Sequence, residues 1–443
     1  MKQPDITVGI MSRTQIDFKL NGRFFLSQSD LVFGGDQSVW LEDGKLKLYK
    51  SEINTNELLL IPMNPETDSF ELKDVTIGVN FHWEQQENQK FKGALKLIIE
   101  NDLVTAINVL AIEEYLISVI SSEMSANSSL DLLKAHAIIS RSWLIAQIEK
   151  QEKITEATQH YESTFSSKDE YIKWYDREDH EHFHVCADDH CQRYQGITRA
   201  ENPNVVKAVN ETSGVILSYQ GTICDARFSK CCGGIAELFE NCWEPVNHPY
   251  LTAVVDNPEF PAGFEKDLTI EKNAVAWLNS SPEAFCNTDD EEVLKQVLNE
   301  YDWTAKDFYR WTVEYTNEQL SNLILQRSGN DFGDILDLIT IERGTSGRLI
   351  RLKIVGSKLT LTVGKELEIR RWFSKSHLYS SAFTVEKLDI QNGIPARIVL
   401  HGGGWGHGAG LCQIGAAVMG HKGYKYDEIL HHYFKNITLD KRY

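Results

Sequence analysis

Basic residues are in deficit. The chain carries 45 Lys and Arg against 64 Asp and Glu, a formal net charge of −19. That balance argues against a phosphate-backbone partner, because nucleic-acid binding draws on basic patches. It also disfavours passive attachment to anionic membrane surfaces. Long apolar runs are missing as well: no stretch of about 18 uncharged apolar residues exists, so no transmembrane helix is expected. Cysteine is sparse, with eight in 443 residues, too few for a disulfide-built scaffold. The segment from Met1 to Ile10 enters a strand-like pattern at once and shows no apolar signal region. Gly-Lys-Ser/Thr and Gly-x-Ser-x-Gly are both absent, which removes the phosphate loop and the hydrolase nucleophile elbow. No internal repeat or low-complexity tract occurs.

What is present belongs to an ordinary globular chain. Hydrophobic residues make up 42% and charged residues 25%, and 443 residues suffice for two or three domains. Residues 1–104 read as an N-terminal β-rich domain, with alternating runs such as Ile6–Ile10, Lys45–Tyr49 and Leu95–Ile99 separated by turn signals. Residues 105–443 read as one catalytic domain of mixed helices and strands, interrupted by a helical insertion over about 265–330. The expected class is α+β: a helical catalytic core with mixed β-rich modules, an N-terminal β-rich domain and an inserted helical segment. Residues 151–183 predict a loop or short helix. Cys191–Ala200 and Gly214–Ser229 predict strands, and Tyr426–Phe434 a short closing helix.

The organising stretch is Ser121-Ser-Glu-Met-Ser-Ala-Asn-Ser-Ser-Leu-Asp-Leu-Leu-Lys-Ala-His-Ala-Ile-Ile-Ser-Arg141. It predicts two helices meeting at a polar corner, the second announced by Ser128 with Asp131 three residues later. Leu130, Leu133, Ala137, Leu144 and Ile148 give that second helix one buried stripe. Glu123 ends the first helix, where a carboxylate gains nothing from the helix dipole and resists ionising among apolar neighbours. That is the setting of a general acid; a solvated residue beside a turn is the plainer alternative. Arg141 either faces the same cleft or covers apolar surface as a rim charge.

Three further segments hold chemistry. His401-Gly-Gly-Gly-Trp-Gly-His-Gly-Ala-Gly-Leu-Cys-Gln-Ile-Gly415 is dense in glycine, which lets backbone approach a ligand or another segment closely. His401, Trp405, His407 and Gln413 in it suggest a cleft wall for a sugar-like ligand, against plain packing. His180–Cys191 holds four histidines and two cysteines in twelve residues. Cys186 and Cys191 with His180 and His190, or His184 in their place, can supply a tetrahedral zinc site; an acidic, His-rich loop is the alternative. Around Phe228-Ser-Lys-Cys-Cys-Gly-Gly, Lys230 either puts a cation near the cleft or decorates a hairpin. Cys231 with Cys232, or Cys224 with Cys242, can pair in an oxidising compartment.

Taken together these motifs resemble the SpoIID/LytB family of sporulation and cell-wall proteins. The resemblance rests on Glu114-Tyr-Leu-Ile-Ser-Val-Ile-Ser-Ser-Glu-Met and Leu133-Lys-Ala-His-Ala-Ile-Ile-Ser-Arg-Ser-Trp. It continues in Cys191-Gln-Arg-Tyr-Gln-Gly, in Phe228–Gly234 and in Gly406–Ala416, in the same order along residues 105–440. The first hundred residues are covered poorly. The resemblance implies a lytic transglycosylase acting on peptidoglycan strands stripped of stem peptides, cleaving between N-acetylmuramic acid and N-acetylglucosamine. It implies Glu123 as catalytic acid, from the family's Glu-Met-Pro motif, with Arg141 as a catalytic partner. Structural zinc in the His180–Cys191 segment follows from some members. Ser125 stands where the family has Pro, and His136 where it usually has Gln.

Two rivals follow. One is a non-catalytic peptidoglycan-binding protein that enhances a cell-wall amidase, supported by Ser125. The other is a zinc-dependent hydrolase built on the His/Cys cluster. A wall substrate implies a cell-envelope or periplasmic location, for which the N-terminus offers no export signal.

Overall fold

A computed structural model describes residues 3–78, 84–125, 127–156, 163–175, 180–188, 191–198, 202–298 and 307–443. The architecture is mixed α+β, as the periodicities predict. Strands 5–13, 94–100 and 103–111 pair antiparallel, with Val8 opposite Asn108 and Leu97 opposite Ala106. Strands 57–62, 15–26, 32–42 and 45–48 continue the sheet, and 69–77 with 85–91 branch from 15–26. Alternate residues point inward, so Ile16, Phe18 and Leu20 are buried while Gln15, Asp17 and Lys19 are exposed. Val185–Cys186 adds a short parallel strand at the edge, Cys186 opposite Gly9.

Strand 103–111 runs directly into helix α1 (Ile112–Glu123), which is what places Glu123. Ile112, Tyr115, Leu116, Val119 and Ile120 recur at three- and four-residue steps and are fully buried. The helix stops because Met124 takes extended angles, φ −120° and ψ 147°. Helix α2 (Leu130–Glu156) follows. Ser129, rather than Ser128, supplies the cap, its hydroxyl accepting from the Leu132 amide at 3.2 Å. Instead of one buried stripe, α2 is enclosed on nearly all sides between Leu132 and Leu144, Lys134 being partly exposed.

The expected strand over Cys191–Ala200 is irregular chain where it is described, and α3 (Pro203–Glu211) comes next. The loop expected over 151–183 contains a hairpin, 164–166 with 170–173, that docks in parallel on strand 360–364. Parts of that loop lie outside the described residues. The segment read as a helical insertion holds α4 (Glu271–Leu278), α5 (Glu291–Val297) and α6 (Asn317–Ser328), but also strand 310–316. That strand pairs with 394–403, which pairs with 383–391. Together with strands 335–343, 349–356 and 360–364 and helix α7 (Glu366–Trp372), it surrounds a second apolar cluster containing Trp311, Leu352, Trp372 and Leu400. Helices α8 (Gln413–His421) and α9 (Tyr426–Tyr433) close the chain against α2.

One apolar cluster runs from Ile6 and Phe70 through Tyr115, Leu133 and Ile414 to Phe434. The N-terminal sheet and the central helices therefore share a single core across residue 104. Among the described residues, no helix is long and apolar enough to cross a membrane.

Candidate functional site

The corner after Glu123 is held from outside. The Gln296 carbonyl, in the last turn of α5, accepts the Ser125 amide at 2.9 Å and the Ser128 hydroxyl at 2.8 Å. Its side-chain oxygen accepts the Ser129 amide at 3.2 Å. Proline at 125 has no N–H to give. Serine there lets α5 lock onto the corner. Glu123 is half-buried, and α1 has no basic residue in its last turn to offset the helix dipole. Its charge reaches the Tyr115 hydroxyl, which burial first, and then Cys191, Cys186, Tyr194 and Glu123, hold well above the ordinary phenol range.

The next carbonyl, Val297, accepts from Lys230 Nζ at 2.8 Å. The corner and the Lys230 ammonium are thus gripped by consecutive carbonyls of one segment. Trp405 lies beside them: its backbone exchanges two hydrogen bonds with Cys231, and its ring stacks on Phe308 at 4.8 Å. Trp405 and Lys230 are both half-buried.

Gln413 is buried and turned inward. Its Nε2 lies 3.1 Å from His136 Nε2, while His136 Nδ1 lies 3.3 Å from Ser140 Oγ. An amide nitrogen only donates, so His136 is neutral and donates from Nδ1 to Ser140. Burial, and then the Lys230 charge, push this imidazole down to about 3 from 6.5. The sign of the pH effect follows. The unfolded chain takes up a proton near pH 6.5 and the folded chain refuses it until about pH 3, so stability is lost as pH falls through that window. His377 and His432, both pushed down to about 4 by burial first, act in the same direction. The urea midpoint should fall between about pH 7 and about pH 5, and fall less in His136→Gln. An equal fall in both proteins would remove His136 from that account.

Arg141 does not face the Glu123 corner. It is fully buried, and its Nε and Nη2 grip the Glu113 carboxylate at 3.0 and 2.6 Å. Its Nη1 donates to the Val215 carbonyl at 2.9 Å, and Glu113 also accepts from the Gly214 amide and the Tyr443 hydroxyl. The expected cleft residue is therefore a bolt joining α1, α2, strand 215–219 and Tyr443. The enclosed position of α2 leaves its guanidinium no route outward.

The glycine-rich run mostly serves close packing. A Cβ on Gly408 would meet the Arg348 guanidinium at 2.5 Å, and one on Gly410 would meet the Arg227 carbonyl at 2.0 Å; both residues have positive φ. His407 is spent on the protein, with Nε2 at 3.0 Å from the Phe228 carbonyl and Nδ1 accepting the Ala409 amide at 3.1 Å. Burial and then Arg227 hold its ring well below the usual imidazole range. His401 sits on another face, where its Nε2 meets Glu386 at 3.0 Å and Nδ1 meets Thr312 at 3.3 Å. It lines an open groove with Glu271, Asn279, Arg310 and Trp311. As a wall for one ligand, then, the run divides: Trp405 lies beside Lys230, while His401 lies in the separate groove.

The His/Cys cluster is partly assembled. One donor atom each from His180, Cys186 and Cys191 lies within 4.8 Å of the others, with Cys191 Sγ at 3.4 Å from His180 Nε2. Zinc bound tetrahedrally to sulfur and nitrogen spaces its donors by about 3.5 Å. The Cys191–His180 spacing fits. His184 is outside the group, its Nδ1 accepting the Thr7 amide at 3.2 Å. His190 lies outside the described residues. All eight cysteines are free thiols, and Cys242 is directed at the His407 carbonyl rather than at Cys224.

The fold thus defines a helix–corner–helix core on an antiparallel sheet, with an acid at the corner. Residues 100–219 match the family model described as Stage II sporulation protein. Residues 237–410 match a domain of unknown function (DUF8618), a longer unit than the expected helical insertion and one that contains the second apolar cluster. An uncharacterized protein of Brachyspira hyodysenteriae is 25% identical over 352 residues, 79% of this chain and 72% of that one. Stage II sporulation protein D of Bacillus amyloliquefaciens is 23% identical, covering 74% of each chain. The amidase enhancer of Bacillus subtilis is 24% identical over 54% of this chain and 33% of its own. These matches support assignment to the SpoIID/LytB family.

Proposed function

We propose that this chain works on the cell wall as a peptidoglycan lytic transglycosylase, with Glu123 as its acid and base. The observation that carries this reading is the corner itself. A half-buried carboxylate ends a buried helix, and the adjoining carbonyls of residues 296 and 297 fix both the corner and Lys230. The matches to sporulation protein D and to an amidase enhancer support a wall-related role and an envelope location.

Hydrolysis by a glycosidase generally needs two carboxylates at a set separation. Forming a 1,6-anhydro ring needs one. Glu123 gives its proton to the glycosidic oxygen as that bond breaks. It then takes the proton from the muramyl C6 hydroxyl as that oxygen bonds the anomeric carbon. Lys230 orients the lactyl carboxylate of a stripped strand by charge-assisted hydrogen bonding, and Trp405 offers its face to the sugar. His180, Cys186 and Cys191, with His190 from the sequence, would hold a zinc ion, and that ion would supply cross-linking rather than chemistry.

Incubation with peptide-free strands and mass spectrometry of the products tests this. Anhydro-muramyl ends are expected, and strands recovered intact would sink it. A second reading, a wall-binding enhancer of an amidase, is favoured by the Ser125–Gln296 lock, which sets α5 against the corner. It predicts intact strands and faster cleavage by an added amidase. The zinc-hydrolase reading separates on chelation. Under the transglycosylase account, removing zinc lowers the melting temperature and leaves the chemistry of the surviving folded protein unchanged. Activity lost on chelation but kept in Glu123→Gln would favour the hydrolase instead.

A further inference from the structure

A second cluster of donors lies behind the site. Cys232, Cys286, Cys412 and Asp256 each bring a ligand atom within 4.8 Å of the others, and all four side chains are buried. They come from four separate segments. Cys232 stands before the Gly-Gly turn and Asp256 just after the Ile235–Val255 bridge. Cys286 lies between α4 and α5, and Cys412 immediately before α8.

The sulfurs of Cys232 and Cys286 are 3.7 Å apart. A disulfide needs about 2.0 Å, whereas 3.7 Å is close to the tetrahedral edge expected for zinc–sulfur bonds of about 2.3 Å. Two amides are aimed at sulfur: Cys232 N–H donates to Cys412 Sγ at 3.2 Å and Gly234 N–H to Cys232 Sγ at 3.4 Å. The carboxylate is oriented from behind, as metal-ligating carboxylates are. One Asp256 oxygen accepts the Cys286 amide at 2.8 Å and the other accepts the Tyr433 hydroxyl at 2.5 Å. Gly415 makes room for it, since a Cβ there would meet an Asp256 oxygen at 2.3 Å. Three soft thiols with one oxygen suit a tetrahedral divalent cation of the zinc class.

We propose that Cys232, Cys286, Cys412 and Asp256 form a buried structural zinc site, separate from the His180–Cys191 cluster. On binding, three S–H bonds give way to zinc–sulfur bonds and the thiol protons leave to solvent; no oxidant or reductant is involved. The site fastens Asp256 and Cys286, inside the 237–410 unit, to Cys232 and Cys412 just outside it. Lys230 and Gln413 are two and one residues from its ligands, so the staple also fixes the two segments that carry them.

The test uses the full chain carrying Cys186→Ser and Cys191→Ser, which empties the outer cluster and leaves the buried one untouched. After purification from zinc-replete medium, elemental analysis should find about one zinc per chain, and adding Cys286→Ser should remove it. Should the triple variant fail to fold, zinc-edge X-ray absorption on the double variant decides. A shell of three sulfurs and one oxygen is expected from the donor set. A double variant that holds no zinc and takes up none when zinc is added would overturn the site. So would a shell of nitrogen and oxygen alone, or a Cys232–Cys286 disulfide in non-reducing peptide maps.

Discussion

Glu123→Gln should abolish the release of anhydro-muramyl ends while leaving the melting temperature within a degree or so of wild type. Losing a positioned acid and base removes about 100- to 10,000-fold of rate, enough to put turnover below detection in a strand-cleavage assay. Glutamine keeps the shape and one acceptor oxygen but holds no transferable proton. The half-buried setting of residue 123 makes the swap tolerable to the fold. Binding of stripped strands should persist, because Lys230 and Trp405 are unchanged. Glu123→Asp should be nearly as slow, since the shorter side chain withdraws the acid from the bond it protonates. A Glu123→Gln protein as active as wild type would remove Glu123 from the chemistry.

Arg141→Ala should destabilise the core by about 3–5 kcal/mol, the usual result of stripping one partner from a buried ion pair. The Glu113 carboxylate would remain, still accepting from Gly214 and Tyr443 but with no cation beside it. Joint replacement, Glu113→Leu with Arg141→Met, should cost much less than the single change, because no buried charge is stranded. Thermal and urea unfolding of the three proteins measures this. A protein with Arg141→Ala that melts like wild type and has lost only its activity would return Arg141 to a catalytic role.

The sequence carried the local features of the molecule and missed the contacts between distant segments. Alternation along residues 5–111 identified the sheet, and three- and four-residue spacing identified α1, because each pattern is set within a few neighbouring residues. The Glu123 corner was legible for the same reason. Arg141 was misplaced because its partner sits 28 residues away on another helix, and nothing in α2 alone shows that the helix is enclosed. Ser128 looked like the cap, yet its hydroxyl goes to a carbonyl 168 positions on, leaving Ser129 to do that job. The glycines read as a ligand wall because open backbone suits a sugar and a packed arginine equally; Arg348 and Arg227 lie far off in sequence. Asp256 carried no signal at all, since its cysteine neighbours converge only when four segments meet.

The oxygen source of the new chain ends separates the central claim from its rivals most directly. Peptide-free strands would be digested in water enriched in heavy oxygen, and the termini read by mass spectrometry. Attack by the sugar's own C6 hydroxyl predicts anhydro-muramyl ends carrying no label, from wild type and not from Glu123→Gln. Labelled reducing ends would show that water is the nucleophile and contradict a transglycosylase, and so would strands left whole.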